Sequence, residues 1–526
     1  MIFGRARNKT IKLVIKHPFA IILYWEKSME YGCTDLLLIN PGGQYKVYQK
    51  LADNLTAVEP PLWCRLIAGY IRDRNFTVKI IDCEAESLEV SMLVQKVGAI
   101  SPKLIAMIIY GHQPSASTQQ MASAGEKCRA IKEQFKKIPI IMIGGHVSSL
   151  PERTLKEETV DFVCKGEGPL TIAQLLEAIK NPLACNLEEV QGLVWEKEGE
   201  FISNAPAPLI KDLDNELHGN VWDLLPMDKY RAHNWQCFGD LDSRQFYASI
   251  YTSLGCPYKC VFCCINAPFE TNGYRMRSPK AVVDEIALLH DSYGVKTLKI
   301  VDEMFVLNDR HVNEICDLLI ARNYDLNIWA YARVDTVKSE ILFKLKNAGI
   351  RWLALGIESG SAHVRDGAEK AFSQQEIKDI VHKIQLAGIQ VIGNFIFGLP
   401  DDDFSTMRET LDLAKELNCE FVNFYSAMAY PGSPLYDLAL EKGLALPDQW
   451  SGFSQHSFDC NPLSTNYLSS SEVLEFRDKA FVEYFSNSRY LGMIAQKFGK
   501  ETRLHIEGMV QHRLKRKILE ELDDVK

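Results

Sequence analysis

The chain contains no apolar run approaching the roughly 20 residues that a bilayer-spanning helix needs. It has no excess of basic charge: 59 Lys and Arg stand against 68 Asp and Glu, a net charge of −9, which argues against a general affinity for nucleic acid. Two phosphate-binding signatures are missing. No G-x-G-x-x-G follows the first predicted strand, so a dinucleotide is disfavoured, and there is no G-x4-G-K-[S/T] loop. The 14 cysteines are not spaced as a disulfide framework. Outside one central loop they are scattered singly, as at Cys83, Cys164, Cys316 and Cys419. A reducing cytoplasm permits that distribution, and a cytoplasmic protein is expected.

The central loop, residues 253–268, is the most informative stretch. It sets Cys256, Cys260 and Cys263 in the spacing C-x3-C-x2-C. Thiolates are soft ligands for iron–sulfur clusters and zinc. Structural zinc normally takes four protein ligands, and ordinary ferredoxin clusters take four cysteines. Three thiolates with no obvious fourth suit a cubane that leaves one iron open. A zinc site, or three unrelated buried cysteines, is the alternative on spacing alone. Cys264 breaks the spacing and reads as a small buried residue.

Residues 31–180 alternate strand and helix. Apolar runs at 35–39, 78–82, 104–110, 138–143 and 162–164 are predicted strands, and 61–74, 115–136 and 170–179 have helical spacing. This predicts a doubly wound parallel sheet, whose ligands bind at the carboxyl ends of the strands. The turns there are glycine-rich: Pro41-Gly42-Gly43, Tyr110-Gly111-His112-Gln113, Gly144-Gly145-His146 and Gly166-Glu167-Gly168. Glycine lets backbone approach a large flat ligand closely.

A connector, residues 181–245, contains a predicted hairpin at 190–203 and recurring tryptophans (Trp195, Trp222, Trp235), so it reads as an ordered linker. Residues 246–442 hold six predicted strands, beginning at Tyr247, Thr297, Asn327, Trp352, Gln390 and Phe421, with helices between them. These imply a partial (β/α)6 TIM-type barrel, with reactive groups at the carboxyl ends of its strands. Those ends bear Asp302-Glu303, Arg333-Val-Asp335, Glu358-Ser-Gly-Ser361, the stretch Asn394 to Asp401, and residues 429–436. A helical tail, residues 443–526, is predicted to contain helices at 471–485, 488–498 and 502–522, the last with a solvated basic cluster at 513–517. The extension, residues 1–30, has five basic residues before the apolar run 18–25. It loosely resembles a signal peptide, but no small-residue cleavage site follows. It is expected to pack on the body; a peripheral membrane contact through residues 1–25 is the other reading.

The cysteine spacing, with Phe262 before the last cysteine, resembles the radical SAM superfamily. The pieces Asn40-Pro41, Pro60-Pro61-Leu62, Gly144-Gly145-His146 and residues 160–168 resemble the cobalamin-binding domains fused to such enzymes. The fold class implied is α/β: an N-terminal doubly wound, Rossmann-like cobalamin domain, a central partial (β/α)6 TIM-type barrel and a helical tail. The resemblance implies a [4Fe-4S] cluster on Cys256, Cys260 and Cys263, with S-adenosylmethionine on the open iron beside Phe262. Glu303, with Asp302 second, would receive the methionyl ammonium. Arg333 would bind the methionyl carboxylate; the bland alternative is an ion pair to Asp335. Glu358 and Ser359 would meet the ribose and nearby polar atoms. Residues 394–401 resemble the family's G-x-I-x-G-x-x-E, with Asn394 and Asp401 replacing its first and last residues.

For cobalamin, the resemblance implies contacts from Asn40, Pro41, Gly111, His112, Gly144, Gly145, Gly166 and Glu167. The D-x-H-x-x-G motif is absent, which implies a cobalamin without a protein histidine on cobalt. His112 and His146 each have the alternative of a loop histidine bonded to backbone. Leu62 and Trp63 are either near the lower face of the corrin or simply core. The implied activity is methyl transfer to an unactivated carbon or to phosphorus, through a 5′-deoxyadenosyl radical and methylcobalamin. The rival readings are a non-methylating radical enzyme such as a cyclase or hydroxylating enzyme, a first domain that has lost cobalamin, and a non-catalytic iron–sulfur or zinc scaffold. The expected partners are a small-molecule or lipid-like substrate and a flavodoxin- or ferredoxin-type electron donor, with no nucleic acid.

Overall fold

The computed structural model describes residues 34–523, except 44–46, 53–54, 112, 114, 182, 184–185 and 371. The predicted N-terminal extension, and any membrane contact through it, lies outside the described residues.

The first sheet is built from β1 (Leu36–Asn40), β2 (Val78–Asp82), β3 (Leu104–Ile108), β4 (Ile140–Ile143) and β5 (Phe162–Cys164). These five are parallel in the order β2-β1-β3-β4-β5. All of β1, β3 and β4 is buried, as their unbroken apolar runs require of strands covered on both faces. The strand order reverses between β1 and β3, which makes the loops after them the topological switch point.

The sheet does not stop where the sequence reading ends the domain. The predicted hairpin, β6 (Leu193–Lys197) and β7 (Glu200–Ser203), adds two antiparallel strands beside β5. Its apolar face docks there: Leu193, Val194 and Trp195 are buried. The boundary expected after Lys180 therefore cuts a continuous sheet.

The second sheet begins with β8 (Tyr247–Ile250). Two short strands, β9 (Ser253–Leu254) and β10 (Arg275–Met276), pair antiparallel and close the base of the cysteine loop. Then come β11 (Thr297–Ile300), β12 (Asn327–Arg333), β13 (Ile350–Glu358), β14 (Gln390–Phe397) and β15 (Phe421–Ser426). The six main strands are parallel, in the order β8-β11-β12-β13-β14-β15, and form the partial barrel. Helices Pro279–Tyr293, Asp309–Arg322, Leu342–Asn347, Gln374–Leu386 and Phe404–Leu417 connect them. Three of these starts are capped by Ser278, Ser373 and Asp403, each the residue before its helix: Ser278 accepts from Ala281 N, and Ser373 and Asp403 make capping boxes.

The tail packs helices Ser470–Phe485, Ser488–Phe498, Lys500–Val510 and Lys517–Asp523 against the barrel. The single helix expected over 502–522 is broken. Arg516 turns inward, is buried, and donates to Gln455 O, Ser457 O and the Asp478 carboxylate. The basic cluster is thus not wholly a solvated face.

Buried ion pairs join the two sheets. Arg65, on helix Leu62–Arg72, reaches Glu285 at 3.0 Å and donates to Ser249 O, while Arg277 holds the other Glu285 oxygen. Glu59 enters the barrel and meets Lys299 of β11 at 3.1 Å. Trp63 stacks on Tyr110 with ring centroids 4.2 Å apart, and Phe269 of the cysteine loop lies 6.2 Å from Trp63. Leu62 and Trp63 therefore belong to the packed interface. Among the described residues, no helix is long and apolar enough to cross a membrane.

Candidate functional site

The cysteine loop leaves β9 at Gly255. Gly255 has φ +86°, and a Cβ there would stand 2.4 Å from Gly273 O, so the turn demands glycine. Asn266 braces the loop. Its Nδ2 donates to Cys256 O at 2.9 Å, and its Oδ1 accepts from Cys256 N at 3.4 Å. Cys263 N donates to Cys260 O at 3.0 Å. Burial pushes the Cys256 thiol up to about 11 and the Cys263 thiol well above its ordinary value. Among the described residues, no three His, Cys, Asp or Glu side chains gather tightly enough to hold a single metal ion. In a cubane each thiolate takes a different iron, so the ligand sulfurs stand apart. Three cysteines on one braced loop fit such a cluster.

The two acids after β11 have different surroundings. Asp302 is buried and accepts from Thr252 N at 2.6 Å, Thr252 Oγ1 at 2.5 Å and Ser253 Oγ at 2.6 Å. It ties the start of the cysteine loop to the sheet. Glu303 is half-buried, and its Oε2 has no hydrogen-bond partner among the described residues. Burial, with Asp302 beside it, pushes its carboxyl up to about 8.

Arg333, at the end of β12, makes the ion pair that the sequence raised as the alternative, together with contacts to the cysteine loop that it did not. Its Nε and Nη2 grip the Asp335 carboxylate at 2.9 and 3.1 Å, the bland alternative. Its Nη1 also reaches Cys260 Sγ at 3.5 Å, and its guanidinium lies 3.9 Å over the Tyr258 ring. Glu358 sits at φ +66° at the end of β13, buried against the Lys370 ammonium. Lys370 Nζ also donates to Gly356 O at 3.2 Å and lies 5.8 Å over the half-buried Phe262 ring. Ser359 is buried, and its hydroxyl is engaged by Thr410 Oγ1 at 3.1 Å and Ser361 N at 3.2 Å. That bracing fixes the Ser359 hydroxyl at the end of β13. Asp401 accepts from Asn466 of the tail at 3.1 Å.

On the first domain the glycines do what close approach requires. A Cβ on Gly144 would come within 1.8 Å of Ile109 O, and one on Gly111 within 2.3 Å of Ala116 Cβ. A Cβ on Gly145 would make only ordinary contacts, and one on Gly166 would meet nothing within 4 Å. The side chains are more committed than expected. Asn40 Nδ2 donates to Asp82 at 2.8 Å, and the Pro41 carbonyl accepts from Ser123. Glu167 is buried, accepts from Ile210 N at 3.0 Å and pairs with Arg275 of β10 at 2.5 Å. His146 is buried: its Nδ1 faces Thr118 Oγ1 at 3.1 Å, and its ring packs edge-on to Trp450 at 4.3 Å. Burial, with Arg153 nearby, lowers its pKa to about 3, so it stays neutral. His112 lies outside the described residues.

A cavity of about 650 Å³ opens between the two sheets. Gly42, Gly43, Gln113 and Ala116 bound it at the switch point of the first sheet, and Trp329, Tyr331, Asn394 and Tyr425 bound it inside the barrel. A wide space at glycine-lined strand ends fits a large flat group such as a corrin.

The comparisons agree with this architecture. Residues 250–414 match the model of the Radical SAM superfamily, and residues 48–176 match that of the B12 binding domain. The chain carries a radical SAM domain and a B12-binding domain. A [4Fe-4S] cluster and S-adenosylmethionine accompany the first, and cobalamin the second. Over 434 residues the radical SAM chain is 28% identical to a protein of Pyrococcus horikoshii named as an uncharacterized methyltransferase, covering 82% of this chain and 89% of that one. It is 29% identical over 329 residues to an anaerobic magnesium-protoporphyrin IX monomethyl ester cyclase of Synechocystis, covering 61% of each. The radical S-adenosylmethionine methyltransferase TsrM of Kitasatospora setae, solved with cobalamin and a [4Fe-4S] cluster, superposes with a TM-score of 0.65 at 18% identity, covering 86% of this chain and 89% of that one. At that identity the likeness is one of fold.

Lys370, Asn266, Glu59 and Arg477 are site residues that the sequence reading missed. Lys370 and Arg477 sit in no motif. Asn266 follows the cysteines by three positions, and a polar residue there was the one available signal.

Proposed function

We propose that the protein is a cobalamin-dependent radical SAM methyltransferase that alkylates an unactivated carbon or phosphorus of a small-molecule or lipid-like substrate. The observation that supports this reading is the single cavity bounded by both the switch-point loops of the first sheet and the interior of the barrel. A methyl donor and a radical source placed on its two walls can act on one substrate. When bound, the cluster supplies the electron that cleaves S-adenosylmethionine, and cobalamin supplies a transferable methyl group.

In this reading the Glu303 carboxylate receives the methionyl ammonium, because it is the acid at the β11 end with an oxygen left free. Arg333, held by Asp335, orients Cys260 and presents positive charge toward the methionyl carboxylate. Lys370 neutralises Glu358 and holds it for the ribose. Phe262 packs beside the cluster. Asn40, Pro41, Gly111, His112, Gly144, Gly145, Gly166 and Glu167 shape the cobalamin face, with no histidine on cobalt. Tyr331 and Tyr425, whose phenols burial keeps protonated, shield the chamber from water. An external one-electron donor of flavodoxin or ferredoxin type completes the system, in the cytoplasm.

Anaerobic turnover with S-adenosylmethionine and a reductant tests the proposal. Both S-adenosylhomocysteine and 5′-deoxyadenosine are expected, with corrin absorbance in the purified protein. Deoxyadenosine without S-adenosylhomocysteine would overturn methyl transfer in favour of a cyclase-like reaction.

A further inference from the structure

One wall of the cavity comes from the tail, and its charge does not balance. Arg477 and Arg516 are both buried, 5% and 2% exposed, and they share one carboxylate. Arg477 Nη1 reaches Asp478 Oδ1 at 2.7 Å, while Arg516 Nε and Nη2 reach the same group at 2.9 and 3.0 Å. The other acids on this wall are paired elsewhere: Glu475 with Lys479, and Glu483 with Arg408 and Lys415. Glu59 pairs with Lys299 deeper in the barrel, and Glu84 lies on the facing first-domain wall. Among the described residues, the buried cluster of Arg477, Arg516 and Asp478 holds two guanidinium groups against one carboxylate; Arg513 is a further cation lining the chamber. A buried charge without a counter-charge is strongly unfavourable, so the wall is built for an anion.

The donors are arranged for one. Three of the five N–H groups of Arg477 are taken among the described residues, by Phe424 O, Asp478 and His456 Nε2. Because His456 Nε2 accepts from Arg477 at 3.2 Å, its proton sits on Nδ1, as a second donor. Burial, then Arg477 and Arg516, keeps that imidazole neutral. Tyr48 lies 5.3 Å from the His456 ring and lines the same cavity. Beyond them the walls are aromatic: Tyr331, Tyr425, Trp329 and Trp235.

We propose that Arg477, His456 and Tyr48 form an oxyanion-binding end of the substrate chamber. The substrate is then a large, mainly apolar or aromatic molecule bearing a carboxylate or phosphate, oriented with its apolar body along the barrel wall. This deepens the methyltransferase reading by naming the substrate class of the same cavity.

The test uses the holoprotein, loaded with cluster, cobalamin and S-adenosylmethionine, and three fluorescent probes of one shape: 2-naphthoate, 2-naphthyl phosphate and 2-naphthamide. Either anion is expected to bind at least ten-fold more tightly than the amide, and which of the two binds better distinguishes carboxylate from phosphate. Arg477→Gln should erase the preference and Arg477→Lys retain most of it, with cobalamin and S-adenosylmethionine content unchanged in both. Equal affinities in the unaltered protein would overturn the proposal, with no variant needed should Arg477→Gln fail to fold. Loss of cobalamin or S-adenosylmethionine from a folded Arg477→Gln would also overturn it, by assigning the anion to a cofactor. Binding is read without turnover, so a protein that forms no S-adenosylhomocysteine can still show or lack the anion preference.

Discussion

Glu167 and Arg275 form an ion pair, 2.5 Å between Oε1 and Nη2, that latches the first sheet to the ribbon at the base of the cysteine loop. Glu167 is 4% exposed and Arg275 17%, so neither charge is well solvated. Removing one partner of a buried pair strands the other. Glu167→Ala is expected to cost about 3 kcal/mol, and the double change Glu167→Ala with Arg275→Met to cost less than the single one. Chemical denaturation of the three proteins measures this. A cost below about 1 kcal/mol would show that the pair does not act as a latch.

Asp302 and Glu303 are adjacent but should fail differently. Asp302→Ala removes an acceptor from three buried donors and is expected to lower both stability and iron content. Glu303→Gln leaves those bonds intact. It should keep the fold and the iron while weakening S-adenosylmethionine binding by about 2 kcal/mol, roughly thirty-fold. Equilibrium dialysis beside iron analysis separates the two outcomes. If Glu303→Gln binds the cofactor normally, Glu303 does not receive the ammonium.

Gly144 and Gly145 offer a second contrast. A methyl group on Gly144 collides with the Ile109 carbonyl, which is backbone and cannot swing away, whereas Gly145 has room. Gly144→Ala is expected to destabilise by about 3 kcal/mol. Gly145→Ala should fold normally and change only the amount of corrin retained, read by absorbance after anaerobic purification. Equal melting temperatures for the two variants would contradict the packing argument.

His146 should make the protein acid-sensitive. The folded state holds its imidazole neutral down to about pH 3, whereas in the unfolded chain it takes a proton near its ordinary 6.5. Its contribution is therefore complete above pH 6.5 and falls as pH drops through the range below. Between pH 7.5 and 5 the loss from this group is about 2 kcal/mol. Denaturation of His146→Gln at both pH values should show a pH dependence smaller by that amount; an unchanged dependence would place the acid sensitivity elsewhere.

The parts legible in the sequence are those whose signal is local. The cysteine loop announced itself through the spacing of three soft ligands, and β1, β3 and β4 through apolar runs that only a covered parallel strand can bury. The six strands of the barrel were placed by the same reading, because each alternates with a helix-length segment. The hairpin β6–β7 was also visible as a hairpin. That it joins the first sheet was not, because strand pairing depends on which exposed edge lies nearby, and β5 supplied one.

Side-chain commitments were the least legible. Asn40, Glu167 and Ser359 stand in ligand-like positions, yet Asp82, Arg275 and Thr410 engage them from distant parts of the chain. His146 reads as a loop histidine and becomes a buried one because the tail brings Trp450 against it. Apolar patterning and motif spacing alone determined that this is an α/β protein with a three-cysteine loop and glycine-rich strand ends, since both signals reside in short stretches of chain. Only the tertiary structure decided that Glu303 rather than Asp302 keeps a free oxygen, that Glu59 enters the barrel, and that Arg477 and Arg516 share one aspartate beside the cavity. Those outcomes turn on how buried charges and donors find partners across the folded chain, and such long-range pairing leaves no period or motif in the sequence.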